Sequence, residues 1–104
     1  AENLSWGQQK LLSLARLLCG DFELLLIDEP VSGVNPAMID TILAKIKELK
    51  KLSKTVIVVE HNLKAVKTVS DSVFILDSGR VVDKGSPGEI FTRLNSNGIF
   101  NIGL

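Results

Sequence analysis

Two short apolar runs, Leu24-Leu25-Leu26-Ile27 and Val56-Ile57-Val58-Val59, each end at an acid, with an amphipathic segment between them. Four apolar residues are far short of a membrane span. Runs of this length without polar alternation fit strands covered on both faces of a parallel sheet. Asn35-Pro36 starts the intervening helix, as a capping side chain followed by proline at the first helical position. Ile39, Ile42, Leu43, Ile46 and Leu49 form its apolar face to about Leu52. Lys45, Lys47, Lys50 and Lys51 lie opposite as a solvated face, and positive charge there complements the helix dipole.

The remaining elements follow from the same reasoning. Leu11, Leu14, Ala15 and Leu18 recur at helical spacing and predict a helix from about Gly7 to Cys19, closed by Gly20. Thr55 to Val59 is β-branched and reads as the second buried strand. A short helix spans Asn62 to about Ser70, with Leu63, Val66 and Val69 on one side. Ser72–Leu76 and Arg80–Lys84 flank Asp77-Ser78-Gly79 as a hairpin. Ser86 and Glu89 have the spacing of a capping box and open a last helix. Asn95-Ser96-Asn97-Gly98 is expected to break that helix, leaving a loose tail over about 95–104. Cys19 and Met38 are expected to pack inside. The alternation of helix and buried strand makes this an α/β chain, a mostly parallel sheet with an antiparallel end.

Composition narrows the function. At 104 residues the chain holds one small domain, and 45% hydrophobic content excludes a disordered tail. Twelve basic residues balance twelve acidic ones, so no global field draws nucleic acid or acidic lipid. A single cysteine without a Cys/His cluster leads us to expect an intracellular protein with neither disulfide nor structural zinc. No basic segment followed by an apolar one opens the chain, so no secretory signal is expected. It starts at Ala1 without methionine, which suggests a fragment or a trimmed start.

Ligands gather at the carboxyl ends of strands in parallel sheets. One such end carries Asp28-Glu29-Pro30 and the other Glu60-His61. Adjacent strand residues point to opposite faces, so the two acids can take different tasks. In nucleotide hydrolysis one would hold Mg²⁺ through water and the other would orient or deprotonate the attacking water. Strand-end acids also serve as caps or ion-pair partners. His61 could donate to a terminal phosphate, or be a structural histidine. Leu4-Ser5-Trp6-Gly7-Gln8 precedes the first helix. It reads either as an anion site at a helix start or as a plain capping box of Ser5 with Gln8.

Together, Leu-Ser-Trp-Gly-Gln, the amphipathic helix, Leu24–Pro30, Ser32-Gly33-Val34-Asn35 and Val59-Glu60-His61 closely resemble the second half of an ATP-binding-cassette (ABC) ATPase domain. The resemblance covers essentially all of residues 1–104 and implies a P-loop NTPase-like fold. It implies that Asp28 matches the Walker B aspartate supporting Mg²⁺, Glu29 the catalytic glutamate and His61 the switch histidine near the γ-phosphate. Ser5, Trp6, Gly7 and Gln8 match the signature that closes over ATP held by the opposite subunit of a head-to-tail dimer. Ser32, Gly33, Val34 and Asn35 match the D-loop, which crosses that interface. Further implications are a second ATPase subunit, identical or different, membrane permease subunits, a solute-binding protein and a place at the cytoplasmic face of the membrane. Trp6 in place of the first signature glycine, with Asn35 where aspartate is commoner, is similar to the branched-chain amino-acid importer branch. Val34 stands where leucine is usual. Alternatives are a non-transport ABC protein of translation or DNA repair, and a truncated cassette that lends its signature to another subunit without hydrolysing.

A phosphate-cradling Walker A loop needs Gly-x-x-x-x-Gly-Lys-Ser/Thr. The only glycines at that spacing are Gly98 and Gly103, and Leu104 follows them. Also missing from these residues are the adenine-stacking aromatic, the glutamine loop and most of the helical subdomain that meets the membrane partner. Phosphoryl transfer depends on positioning and charge stabilisation that the cradle supplies. A sheet without the cradle's strand would also leave apolar edges and faces open. Residues 1–104 by themselves are therefore expected to bind ATP weakly or not at all and to show no measurable turnover. A phosphate-release assay checks this, and turnover that disappears in Glu29→Gln would refute it.

Overall fold

The computed structural model describes residues 5–97. Its elements are α1 (Trp6–Cys19), β1 (Leu24–Asp28), α2 (Pro36–Lys51), β2 (Thr55–Val59), α3 (Leu63–Val69), β3 (Val73–Asp77), β4 (Arg80–Gly85) and α4 (Pro87–Asn97). The expected order of elements is reproduced, within one or two residues at most ends. Each helix start uses a side chain read in the sequence. Ser5 Oγ accepts from the Gln8 N–H at 3.1 Å while Gln8 Oε1 accepts from the Ser5 N–H at 2.9 Å. Asn35 Oδ1 accepts from the Ala37 N–H, and Asn62 Oδ1 from the Ala65 N–H. Ser86 and Glu89 make the reciprocal pair at α4. Such caps satisfy N–H groups that have no partner inside the helix.

Strands β1 and β2 pair in parallel, Leu24 opposite Thr55 through Asp28 opposite Val59. Alternation sends Leu25, Ile27, Val56 and Val58 to one face, where Leu14, Ile42, Leu43, Ile46 and Leu49 of the helices meet them. Ile42, Ile46 and Leu49 are fully or almost fully buried. The other face differs from the expectation of strands covered on both sides. Leu26 is 72% exposed, and Leu24, Ile57 and Val59 are also exposed. Among the described residues the helices cover a single face. Burying a side chain of this size contributes about 1.5–3 kcal/mol, so the open face forgoes a large stabilisation.

The hairpin is a second two-stranded sheet, β3 with β4, not an antiparallel extension of the first. Ser78 and Gly79 both have positive φ, 50° and 78°, as a two-residue turn matched to strand twist requires. Val73, Ile90, Phe91 and Leu94 form its core, joined by Leu63, Val66 and Ile75.

Three further expectations are corrected. Helix α4 runs through Asn97, past the expected break at Asn95. Asparagine and serine only weaken a helix slightly, unlike the glycine that follows. Residues 98–104, including the rest of the expected tail and the Gly98–Gly103 pair, lie outside the described residues. Cys19 is exposed, because the buried side of α1 carries Leu14 and the flanking Leu11 and Leu18. Ala15 is exposed for the same reason, whereas Met38 packs against the core as expected.

Arg93 of α4 clasps Asp83 of β4 with two bonds, Nε to Oδ2 at 2.8 Å and Nη2 to Oδ1 at 3.0 Å. The guanidinium holds the Asp83 carboxyl below the usual carboxylate range, partly offset by desolvation and helped by the Lys84 N–H. A carboxylate with a depressed folded pKa stabilises above its unfolded pKa, and the effect fades as pH falls through the folded one. Arg93→Gln should therefore lower stability at neutral pH. Its difference from the parent chain should vanish in strong acid, as read by denaturation midpoints across pH.

Candidate functional site

The two loops that leave the carboxyl ends of β1 and β2 lie side by side because the strands are parallel neighbours in register. The ladder continues one residue past β1, with the Glu29 N–H donating to the Val59 carbonyl at 2.7 Å. At that point the chain turns sharply, and Glu29 takes φ 48°, a left-handed conformation uncommon for a side chain with a Cβ. Such backbone costs on the order of 1 kcal/mol or more and persists only where its surroundings enforce it. Here the enforcement includes the Ser32 N–H and the Lys10 ammonium, both donating to the Glu29 carbonyl.

This turn brings Glu29 to His61. The Glu29 Oε1 to His61 Nδ1 distance is 2.9 Å, and both side chains remain open to solvent. An ionised carboxylate can only accept, so Nδ1 carries the proton of this bond. Nε2 then accepts while the imidazole is neutral and donates once it is protonated. Glu29 keeps a second oxygen able to accept from a water. The pair combines a proton acceptor with a group that changes between acceptor and donor.

Asp28 sits apart from them. It ends β1 on the uncovered face, where it and Leu26, Ile57 and Val59 line a shallow cleft of about 270 Å³. Its carboxylate has no hydrogen-bond or ion-pair partner among the described residues. No group of three or more His, Cys, Asp or Glu side chains among them could hold a metal ion. A lone, accessible carboxylate does suit Mg²⁺, which takes one or two protein carboxylates and fills its remaining positions with water and phosphate oxygens.

The helix-start residues and the Ser32–Asn35 segment also meet. Trp6 Nε1–H donates to the Ser32 carbonyl at 2.8 Å. A Cβ on Gly33 would come within 3.3 Å of the Trp6 ring, and Gly33 has φ 69°, so both space and backbone favour glycine. Val34 is buried in the core and lies against Gly7, while Asn35 is spent on capping α2. Ser5 and Gln8 complete their capping box, and the Ser5 hydroxyl proton is still available to an acceptor. A cavity of about 280 Å³ opens among Ser5, Trp6, Gly7, Gly33, Asn35, Ala37 and Met38.

Two contributors escaped the sequence reading. Lys10 belongs to the solvent side of α1, yet its ammonium lies 5.4 Å from the Trp6 ring centre and reaches the Glu29 carbonyl. Glu60 was noted beside His61 without a task, and its side chain is 1% exposed. The strand's alternation could have revealed Glu60, since it continues the inward series Val56, Val58.

A family model for the ABC transporter matches residues 1–32. Over 93 residues, 89% of the chain, it is 40% identical to a probable branched-chain amino acid transport ATP-binding protein, LivG, of Archaeoglobus fulgidus. A nucleotide-free ATP-binding cassette from an ABC transporter superposes on 98% of the chain with a TM-score of 0.84 and 28% identity. The chain belongs to the ABC ATPase family. It spans 36% of the LivG protein and 41% of that cassette, so it is part of an ABC ATPase domain. The methionine import ATP-binding protein MetN of Haemophilus influenzae is also 40% identical, over 88% of the chain and 27% of its own length. The branched-chain branch is therefore one of several near relatives. Another ABC structure, cbiO1 of Clostridium perfringens, part of the transporter complex cbiONQ, gives a TM-score of 0.78 at 32% identity over 99% of the chain and 41% of its own.

Gly7 is buried in the first turn of α1. A Cβ there would lie 2.8 Å from Met38 Cγ and 3.2 Å from Val34 Cγ1. Overpacking of this kind costs roughly 1–3 kcal/mol. Gly7→Ala should lower the urea midpoint accordingly, and Met38→Ala in the same chain should recover part of the loss.

Proposed function

We propose that this chain supplies the hydrolytic carboxylates and the signature of an ATP-binding subunit that powers amino-acid import across a membrane. The observation that carries the reading is the contact between Glu29 and His61 at adjacent strand ends, 2.9 Å apart. The names of LivG and MetN, both amino-acid transport proteins, support the choice of cargo class. A phosphate-binding half of the cassette, on a further segment or another subunit, completes the site.

In this reading the Glu29 carboxylate accepts a hydrogen bond from the attacking water and draws off its proton. His61 orients Glu29 through Nδ1 and presents Nε2 to the terminal phosphate. Asp28 would hold Mg²⁺ through water. When bound, the ion offsets phosphate charge. Ser5, Gly7 and Gln8, with Trp6 packed behind them, close over ATP on a second ATPase subunit, while Ser32–Asn35 cross to that subunit. The α1 N-terminus offers N–H groups and a favourable dipole end to the phosphates. Permease subunits and a solute-binding protein select the cargo, and the subunit works at the cytoplasmic face of the membrane.

A second reading is a module that lends its signature to an intact partner without hydrolysing. One experiment separates them. In a cassette completed with a phosphate-binding half, Glu29→Gln should retain ATP binding and abolish turnover, and His61→Ala should impair turnover. These are read by nucleotide binding and phosphate release. Full activity in Glu29→Gln would sink the hydrolytic reading and leave the module.

A further inference from the structure

We propose that Glu60 is the positioning residue that keeps the Glu29 loop and the His61 loop in fixed register. The proposal rests on the hydrolytic reading above and adds a residue to it. Glu60 directly follows β2, and its carboxylate is turned inward, 1% exposed. Oε2 accepts from the Val31 N–H at 3.2 Å. Oε1 accepts from the His61 N–H at 3.0 Å and from the Asn62 N–H at 3.2 Å. Val31 lies two residues past Glu29 in the turn that follows β1, whereas His61 and Asn62 begin the loop that follows β2. One side chain thus bridges the two loops whose side chains meet at Glu29 and His61.

The chemistry of the bridge is specific. A carboxylate offers two oxygens that accept only, and every backbone group facing it is a donor. Glutamine would keep the shape but set an NH₂ group against one of those N–H groups. Aspartate would keep the charge but lacks the reach to span both loops. Among the described residues no lysine or arginine pairs with Glu60, and His61 Nδ1 lies 3.6 Å from Oε1. Burying a charge is costly, and the N–H groups that repay it are those that set the loop geometry. An apolar side chain at this inward position would leave those three N–H groups without the acceptor they share.

The test uses the completed cassette with Glu60→Gln, Glu60→Asp and Glu29→Gln. Misplacing a catalytic group by about 1 Å can cost on the order of 100-fold in rate. Glu60→Gln should therefore lower kcat by roughly tenfold or more while KM for ATP stays within about twofold, because Glu60 touches neither phosphate nor ion. His61 is the sole histidine of these 104 residues, and its ring signal in a histidine-labelled sample is assigned by its loss in His61→Ala. That signal should shift or broaden in Glu60→Gln although the melting transition stays cooperative. Should Glu60→Gln fail to fold, Glu60→Asp is read the same way. Unchanged kcat and an unchanged His61 signal, with Glu29→Gln inactive, would overturn the role of Glu60. A rate loss matched by an equal loss of folded protein would also overturn it. Full turnover in Glu29→Gln would instead remove the hydrolytic reading beneath it.

Discussion

Parallel pairing of β1 with β2, from Leu24 opposite Thr55 to Asp28 opposite Val59, is the constraint on which everything else hangs. It sets two strand ends beside each other, so two loops of distant sequence leave the sheet together. Glu29 and His61 are 32 residues apart in the chain and meet through that register. A slip of one residue would reverse every side chain across the sheet and send Glu60 out to solvent. The core of Ile42, Ile46 and Leu49 stabilises the register from one side. Leu25 and Ile27 can enter that core only when paired as they are.

A second set of contacts ties α1 to the same place. Trp6 bonds to the Ser32 carbonyl, and Lys10 links the ring to the Glu29 carbonyl. The start of α1 is therefore fastened to the turn that carries Glu29. Under the proposed head-to-tail pairing these two elements would face different nucleotides, and the fastening would join the contribution to one site with the contribution to the other.

Much of this was legible because it is local. Ser5 with Gln8, Asn35 with Pro36 and Ser86 with Glu89 announce helix starts within four residues. The hairpin is written in Ser78-Gly79, where the backbone needs positive φ. What escaped depends on partners far along the chain. Nothing near Lys10 says that its ammonium ends on a carbonyl 19 residues away. Glu60 has no role legible in its neighbours, since its three donors come from two loops. Leu24 and Leu26 were right as strand residues and wrong as buried ones. An apolar run tells that both faces are suited to cover, not which segment provides it. Cys19 failed on helix phase, falling on the far side of α1 from Leu14.

The chain has one tryptophan and no tyrosine, and that tryptophan is Trp6. Its indole N–H is held by the Ser32 carbonyl while its ring lies over Gly33. Indole emission responds to hydrogen bonding and to nearby charge, and here both come from the turn that follows Glu29 and from Lys10. The intrinsic fluorescence of these residues is thus an optical probe of a single junction. A colour change would register the moment at which the start of α1 and the turn after Glu29 part or tighten.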